Sequence, residues 1–277
     1  MLLGDTKREL RRLDLRAKKG LGQNFLVDKH VLDRIVSTAK LTPDDYVIEV
    51  GPGLGVLTQE LAENAGRVVA VELDRTMVAM LREKFADSSN VEIVEADILK
   101  CTPESLVEGN VTYKVVGALP YNIASAVLRH FLEAEHKPII IVAVIQKEVA
   151  QSIAAKPGDM SLLSVGVQLY GRPSIVKYIS PRSFYPQPKV DSAILSIDVY
   201  QDSPVKVKDE VAFFNVVRGG FSTPRKQLRN SLSHGLGLTP AEAGALLDSA
   251  GIDPRRRAET LSIEEWAALY RAFAGKQ

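Results

Sequence analysis

Cysteine is nearly missing from this chain: Cys101 stands alone, which excludes an internal disulfide and a cysteine-built metal cage. The four histidines are scattered without ligand spacing, so no histidine metal centre is expected. Long apolar runs are absent. The longest, Ile139 to Ile145, is far too short to span a bilayer and suits a buried strand. After Met1-Leu2-Leu3 the chain turns charged at once, so no apolar signal core is read and a cytoplasmic protein without a membrane partner is expected. No internal repeat and no low-complexity tract is present. An excess of one charge is lacking too, since 35 Lys and Arg face 34 Asp and Glu for a net charge of +1.

That near-neutral total conceals basic ends. Residues 1–20 carry Lys7, Arg8, Arg11, Arg12, Arg16, Lys18 and Lys19 against three acids. A second set lies at Arg218, Arg225, Lys226, Arg229 and Arg255-Arg256-Arg257. Such a distribution points to local polyanion-binding faces, with solvated surface charge as the alternative for any one cluster. At 277 residues, 45% hydrophobic and 25% charged, the chain has the composition of a soluble globular protein with one larger and one smaller domain.

Periodicity supplies the architecture. Asp28 caps a helix through Val31, Leu32, Ile35 and Val36, and Tyr46 to Val50 reads as a buried strand. Strands at Arg67–Glu72, Val91–Glu95, Tyr113–Val116 and Pro138–Ile145 then alternate with helices at Leu57–Asn64, Thr76–Phe85 and Ala124–Glu135. Near-continuous apolar strands in that alternation indicate an α/β fold with a parallel sheet covered on both faces. A helix is expected at Lys147–Ala155. Strands at Ser174–Ile179 and Ala193–Tyr200, flanking a Phe184-Tyr185-Pro186-Gln187-Pro188 loop, are expected to close the sheet antiparallel. Gln201 to Val207 is a polar linker. Beyond it only helices are read, at Val211–Phe221, Arg225–Leu232, Ala241–Ala250 and Ile263–Phe273. The expected division is residues 1–204, with 1–20 as a basic arm, and an all-α domain over 205–277.

Gly51-Pro52-Gly53-Leu54-Gly55 follows a strand and opens a helix, where glycines let backbone approach a ligand closely. A dinucleotide fingerprint would need glycine at Val56, and Pro52 removes a donor that pyrophosphate would use. Both departures tilt the reading from a nicotinamide dinucleotide to S-adenosylmethionine, which carries no phosphate. Glu72, 21 residues after Gly51, ends the next strand, where a carboxylate can accept both ribose hydroxyls. Asp97 ends the third, where an acid can accept an adenine amino group. Capping of the following helix is the alternative role for either acid.

These segments, with Gly22-Gln23-Asn24-Phe25-Leu26, Leu119-Pro120-Tyr121-Asn122-Ile123, Phe184 to Ser192 and Arg257-Ala258-Glu259-Thr260-Leu261, resemble the S-adenosylmethionine-dependent rRNA adenine dimethyltransferases. The resemblance covers nearly the whole chain and is closest to the small-subunit dimethyladenosine transferases. It implies a Rossmann-like methyltransferase domain and a smaller helical domain that grips rRNA. It further implies that Asn24, Leu26, Gly51, Gly53, Glu72, Leu73, Asp97, Ile98 and Ala118 hold S-adenosylmethionine, with S-adenosylhomocysteine as product. Tyr121 and Phe184 would sandwich a flipped adenine, and a carbonyl of Leu119 or Pro120, beside Ala118, would engage its amino group. Arg11, Arg12, Lys18, Lys19, Arg225, Lys226, Arg229, Arg255, Arg256 and Arg257 would contact RNA. The implied product is two adjacent dimethylated adenosines near the 3′ end of small-subunit rRNA within a pre-ribosomal particle, made by a monomer.

The residue types agree independently. An exocyclic adenine amine is a poor nucleophile, and acceptors around its N–H groups favour a pyramidal nitrogen, so positioning does most of the work. Unstacking the base costs a few kcal/mol, which stacking on Tyr121 and Phe184 offsets. Core packing is the simpler role for Phe184, but a loop among Pro181, Pro186 and Pro188 suits it poorly. One departure stands out: Ala118 occupies the place where the family has Asn, or else Asp or Ser. Loss of that side-chain acceptor is worth about 10²–10³ in rate. A ribosome-assembly factor that binds rRNA with little catalysis is therefore the alternative from another class. A large-subunit rRNA adenine methyltransferase is the alternative within the enzymes, and a nicotinamide oxidoreductase is a distant third.

Overall fold

A computed structural model describes residues 2–12, 20, 22–107, 109 and 111–275. Lys18 and Lys19, expected to contact RNA, lie outside the described residues. The elements run α1 (Leu2–Arg12), β1 (Phe25–Leu26), α2 (Lys29–Ala39), β2 (Tyr46–Val50), α3 (Val56–Asn64), β3 (Arg67–Glu72), α4 (Arg75–Lys84) and β4 (Val91–Glu95). They continue with β5 (Tyr113–Ala118), α5 (Ala124–Leu132), β6 (Ile140–Gln146), α6 (Lys147–Ile153), α7 (Leu162–Gln168), β7 (Gly171–Ile179), β8 (Phe184–Tyr185) and β9 (Ser192–Val199). Four helices follow: α8 (Glu210–Phe221), α9 (Leu228–Leu236), α10 (Pro240–Ser249) and α11 (Ile263–Ala274). The chain divides into two compact units, residues 1–150 with 172–201 and residues 151–171 with 202–277.

The first unit is a seven-stranded sheet in the order β4-β3-β2-β5-β6-β9-β7. Strands β4, β3, β2, β5 and β6 are parallel, and β9 returns antiparallel against β6. Val47, Ile48, Val68, Val69, Val116, Ile141 and Val142 are almost wholly buried, as an apolar strand covered on both faces requires. Asp28 caps α2 by accepting from His30 N at 3.0 Å and Val31 N at 3.4 Å. At the end of β5, a Cβ on Gly117 would fall 2.6 Å from Val50 O, so only glycine lets β5 lie this close to the end of β2.

In the second unit α8, α9, α10 and α11 pack around Phe213, Leu232, Leu247 and Trp266, each fully buried. Thr239 and Ser262 start α10 and α11 with capping boxes closed by Glu242 and Glu265. One sequence expectation is corrected, and two helices are additional to those read from sequence. Residues 225–227 precede α9, which begins at Leu228 and runs on to Leu236. The basic arm forms the helix α1 over Leu2–Arg12, and α7 had not been expected.

Candidate active site

Strand order reverses on either side of β2, and there, at the carboxyl ends of β2, β3 and β5, a cavity of about 250 Å³ opens. Open α/β sheets place ligands at such switch points. Its lining includes Asn24, Leu26, Gly51, Gly53, Glu72, Leu73, Asp97, Ile98 and Ala118, the residues expected around the cofactor. Leu119, Pro120, Tyr121 and Phe184 line the same cavity.

The glycine turn follows directly from its residues. Gly51, Gly53 and Gly55 have φ of 70°, 55° and 69°, a region that side-chain-bearing residues avoid. Nothing lies within 4 Å of a Cβ built on Gly51, whereas one on Gly53 would touch the Phe25 ring at 3.2 Å. Gly55 N donates to Pro52 O at 2.9 Å and closes the turn. Lys84, at the end of α4, donates to Leu54 O at 2.9 Å and Gly55 O at 3.2 Å. Burial lowers its pKa. Sequence reading missed this lysine, because nothing local ties the end of α4 to a turn so far upstream.

Glu72 is buried, and its carboxylate accepts three backbone N–H groups: Leu73 and Asp74 at 2.9 Å on Oε1, and Gly53 at 3.2 Å on Oε2. Burial raises its pKa, with those N–H groups working in the opposite direction. Glu72 is not the cap of α4. Asp74 takes that role, accepting from Thr76 N at 3.1 Å. Asp97 lies in the turn beyond β4, which ends at Glu95, and accepts from Leu99 N at 3.1 Å. A third acid, at the head of the glycine-turn segment, has no role assigned from sequence. Glu49 in β2 lines the cavity at 1% exposure, and its Oε2 has no hydrogen-bond partner among the described residues. Burial pushes its pKa up to about 8, so it carries a proton at neutral pH. The available signal was an acid interrupting the apolar strand between Ile48 and Val50.

At the substrate corner Ala118 ends β5 and pairs with Val144. Leu119 N donates to Val144 O at 3.0 Å, and Ile123 N to Pro120 O at 3.1 Å, which fixes the Leu119-Pro120 backbone. Tyr121 is half-buried and its hydroxyl meets Ser192 Oγ at 2.6 Å; burial raises its pKa. Phe184 lies in β8, not in the loop expected from sequence. Strand β8 pairs antiparallel with β1, setting Phe184 opposite Leu26 and Tyr185 opposite Phe25. Val27 N to Ser183 O and Ser183 Oγ to Asp28 Oδ2, each 2.8 Å, extend the same seam. The aromatic expected at the substrate is thereby stitched to the segment expected at the cofactor. Phe184 is 3% exposed and packs into the core with Leu26 and Val144 while lining the cavity, so packing and lining coexist.

Among the described residues no Lys, Arg or His lines this cavity, whereas the carboxylates of Glu72 and Asp97 do, beside the protonated Glu49. That lining suits a ligand with positive charge and offers a pyrophosphate no cation. No group of metal-ligating side chains occurs among the described residues.

The basic residues separate by what they touch. Arg11 and Arg12 are exposed at the end of α1, with Arg12 Nη2 2.7 Å from Glu9 Oε1. Leu228 N to Arg256 O at 2.6 Å and Arg229 N to Pro254 O at 3.3 Å join two segments of the second unit. Exposed Arg225, Lys226, Arg229, Arg255 and Arg257 are gathered there. Arg255 forks onto Asp253 at 3.1 and 3.0 Å, and Arg257 lies 3.6 Å from Glu259. Arg256 is committed internally, to Glu265 Oε1, to Glu265 Oε2 at 3.0 Å and to Thr260 O at 2.6 Å.

Residues 14–275 match the sequence pattern of a family described as ribosomal RNA adenine dimethylase. The chain is 50% identical over 274 residues to the ribosomal RNA small subunit methyltransferase A of Dehalococcoides mccartyi, covering 99% of this chain and 94% of that protein. To the protein so named in Geobacter metallireducens it is 47% identical over 264 residues, 94% of this chain and 96% of the relative. Among solved structures, the 23S rRNA methyltransferase ErmE superposes with a TM-score of 0.74 at 31% identity, covering 91% of this chain and 100% of that one. A dimethyladenosine transferase from Plasmodium falciparum gives a TM-score of 0.79 at 23% identity over 91% and 98%, a likeness of fold.

Proposed function

This chain belongs to the ribosomal RNA adenine dimethylase family, and we propose on that footing that it dimethylates two adjacent adenosines near the 3′ end of small-subunit rRNA. The observation that carries the reading is the cavity at the switch point, lined by three carboxyl groups and, among the described residues, by no basic side chain. S-adenosylmethionine, when bound, supplies an activated methyl group on a sulfonium cation. The residues fit it: Glu72 and Asp97 are the acceptors for ribose hydroxyls and the adenine amino group, and Gly51 leaves backbone open where a side chain would intrude. Asn24, Leu26, Gly53, Leu73, Ile98 and Ala118 complete the wall.

Toward the target base, this chain's work is orientation. Tyr121 and Phe184 offer aromatic faces for a flipped adenine, and the fixed Leu119-Pro120 backbone offers carbonyl acceptors to its amine. An N–H held by an acceptor keeps the nitrogen lone pair out of conjugation and available for transfer. The helical unit and the basic segments hold the RNA through phosphate contacts, in a pre-ribosomal small subunit.

A second reading rests on Ala118, whose methyl group offers no acceptor where the family carries one: an rRNA-binding assembly factor with weak catalysis. Large-subunit specificity is disfavoured, since the relatives at 50% and 47% identity are named for the small subunit. The test uses labelled S-adenosylmethionine with unmethylated small subunits, large subunits as control, and nucleoside analysis of the digested rRNA. Dimethyladenosine from small subunits is expected, with Ala118→Asn faster by up to about 10²–10³-fold. Activity only in Ala118→Asn would support the binding-factor reading. Silence from both proteins would refute the enzyme.

A further inference from the structure

Tyr178 is the one exposed Phe, Tyr or Trp among the described residues, 51% accessible near the end of β7. Its position relative to the substrate corner gives it significance. Tyr121 OH bonds Ser192 Oγ at 2.6 Å, and Ser192 faces Gln146 across the β6–β9 pair. The next residue, Lys147, donates its backbone N–H to Asp191 O at 3.0 Å. Its Nζ lies 5.3 Å from the centre of the Tyr178 ring and 3.7 Å from Asp191 Oδ2. A continuous path therefore runs from the target-base corner through Ser192 and Lys147 to Tyr178.

An exposed ring with a lysine over it is, by itself, ordinary surface, since such a pair contributes little in water. Two further facts point to an occupant. Residues 177–191 carry Lys177, Arg182 and Lys189, all exposed, against the single acid Asp191, so the segment that bears the ring favours a polyanion. The path begins at the residues proposed to grip a flipped adenine. Flipping one base also pulls its neighbours out of the stack, and their faces need cover.

We propose that Tyr178 and Lys147 form a second platform, on which the ring stacks a base flanking the target adenosine while the ammonium group meets the adjoining phosphate. The platform is a positioning device, touching RNA outside the reacting atoms, and it rests on the proposed function above. Aromatic stacking is indifferent to base identity, so the platform secures an unstacked single strand and does not read sequence.

The test compares wild type with Tyr178→Ala, Tyr178→Phe, Tyr178→Trp and Lys147→Met, each checked for unchanged melting and unchanged S-adenosylmethionine affinity. Loss of one stacked base corresponds to about 5- to 150-fold weaker binding. Tyr178→Ala is therefore expected to raise the Kd and KM for small subunits within that range and to leave kcat largely intact, whereas Phe and Trp retain wild-type values. Lys147→Met is expected to lower the slope of log affinity against log salt by about one. Retained affinity in Tyr178→Ala, or equal loss in Tyr178→Phe, would overturn the platform. Weakened binding to intact small subunits with unchanged binding to the naked small-subunit RNA would overturn it too, because the ring would then be meeting a ribosomal protein. Wild type that neither binds nor methylates small subunits would refute the proposed function itself. Active wild type with an indifferent Tyr178→Ala would refute the platform alone.

Discussion

Glu49→Gln tests whether the third carboxyl of the cavity is protonated in the folded protein. The side chain is 1% exposed, Oε2 is unpartnered among the described residues, and burial lifts its pKa from 4.5 to about 8. The Thr58 hydroxyl opposes that rise, nearby Glu72 adds to it and Lys84 opposes it. Between those two values the folded state holds a proton that the unfolded chain has released, so this residue makes stability fall as pH rises through the window. Below the window the effect vanishes, and above it the folded carboxyl ionises and the slope ends. With one pKa unit equivalent to about 1.36 kcal/mol, the destabilisation is roughly 1 kcal/mol at pH 5 and about 3 kcal/mol at pH 7. Glutamine has the same shape and does not titrate. A buried amide left unpaired adds a constant penalty of about 1–3 kcal/mol, but that offset does not depend on pH. The quantity to read is therefore the change in the difference between the two proteins. Urea unfolding followed by circular dichroism at pH 5, 6, 7 and 8 should show Glu49→Gln gaining roughly 2–3 kcal/mol on wild type between pH 5 and pH 7. A difference that stays flat over this range would mean that Glu49 is ionised in the fold, and the argument from burial would fail.

Two further substitutions separate the cofactor wall from the substrate corner. Glu72→Gln removes a charge and replaces one oxygen by an N–H₂ group facing either Gly53 N or the Leu73 and Asp74 amides, so at least one charge-assisted bond at 2.9–3.2 Å is lost. Each such bond contributes about 1.5–3 kcal/mol, and calorimetric titration with S-adenosylhomocysteine should show affinity reduced by at least tenfold; a change under threefold would remove Glu72 from the site. Tyr121→Ala and Phe184→Ala should reduce methylation far more than cofactor affinity, with Phe184→Ala also destabilised by about 3–5 kcal/mol because that ring is a core residue. Cofactor binding weakened in proportion to turnover would sink the adenine-sandwich assignment.

Much of the fold was legible because its signals are local. Arg67–Glu72 and Val91–Glu95 coincide with β3 and β4, since short segments rich in β-branched residues and bounded by turn residues favour extended backbone. α7 escaped notice because Leu162, Ser164, Gly166 and Gln168 alternate with Leu163, Val165 and Val167 in a pattern that does not read as a helical stripe. Its helix is fixed instead by the Ser161 capping box. From sequence, residues 1–20 are a basic arm that faces a polyanion, and no helix is read in them. Leu10 on α1 is buried with Phe25, Leu54, Met77 and Met80, contacts that no pattern within the first 20 residues encodes.

By itself the sequence determined the glycine turn, the acids beyond the strands and the Leu119-Pro120-Tyr121 corner. Positive φ and strand termination are properties of a few adjacent residues, and those residues are spelled out in order. Tertiary structure alone decided which of these pieces meet. Leu26 lies opposite Phe184 because β1 and β8 pair, Tyr121 is held by Ser192, and Lys84 clasps the glycine turn. Whether Glu49 carries its proton was likewise decided there. Burial and long-range pairing depend on what the rest of the chain brings alongside, and no local window contains that.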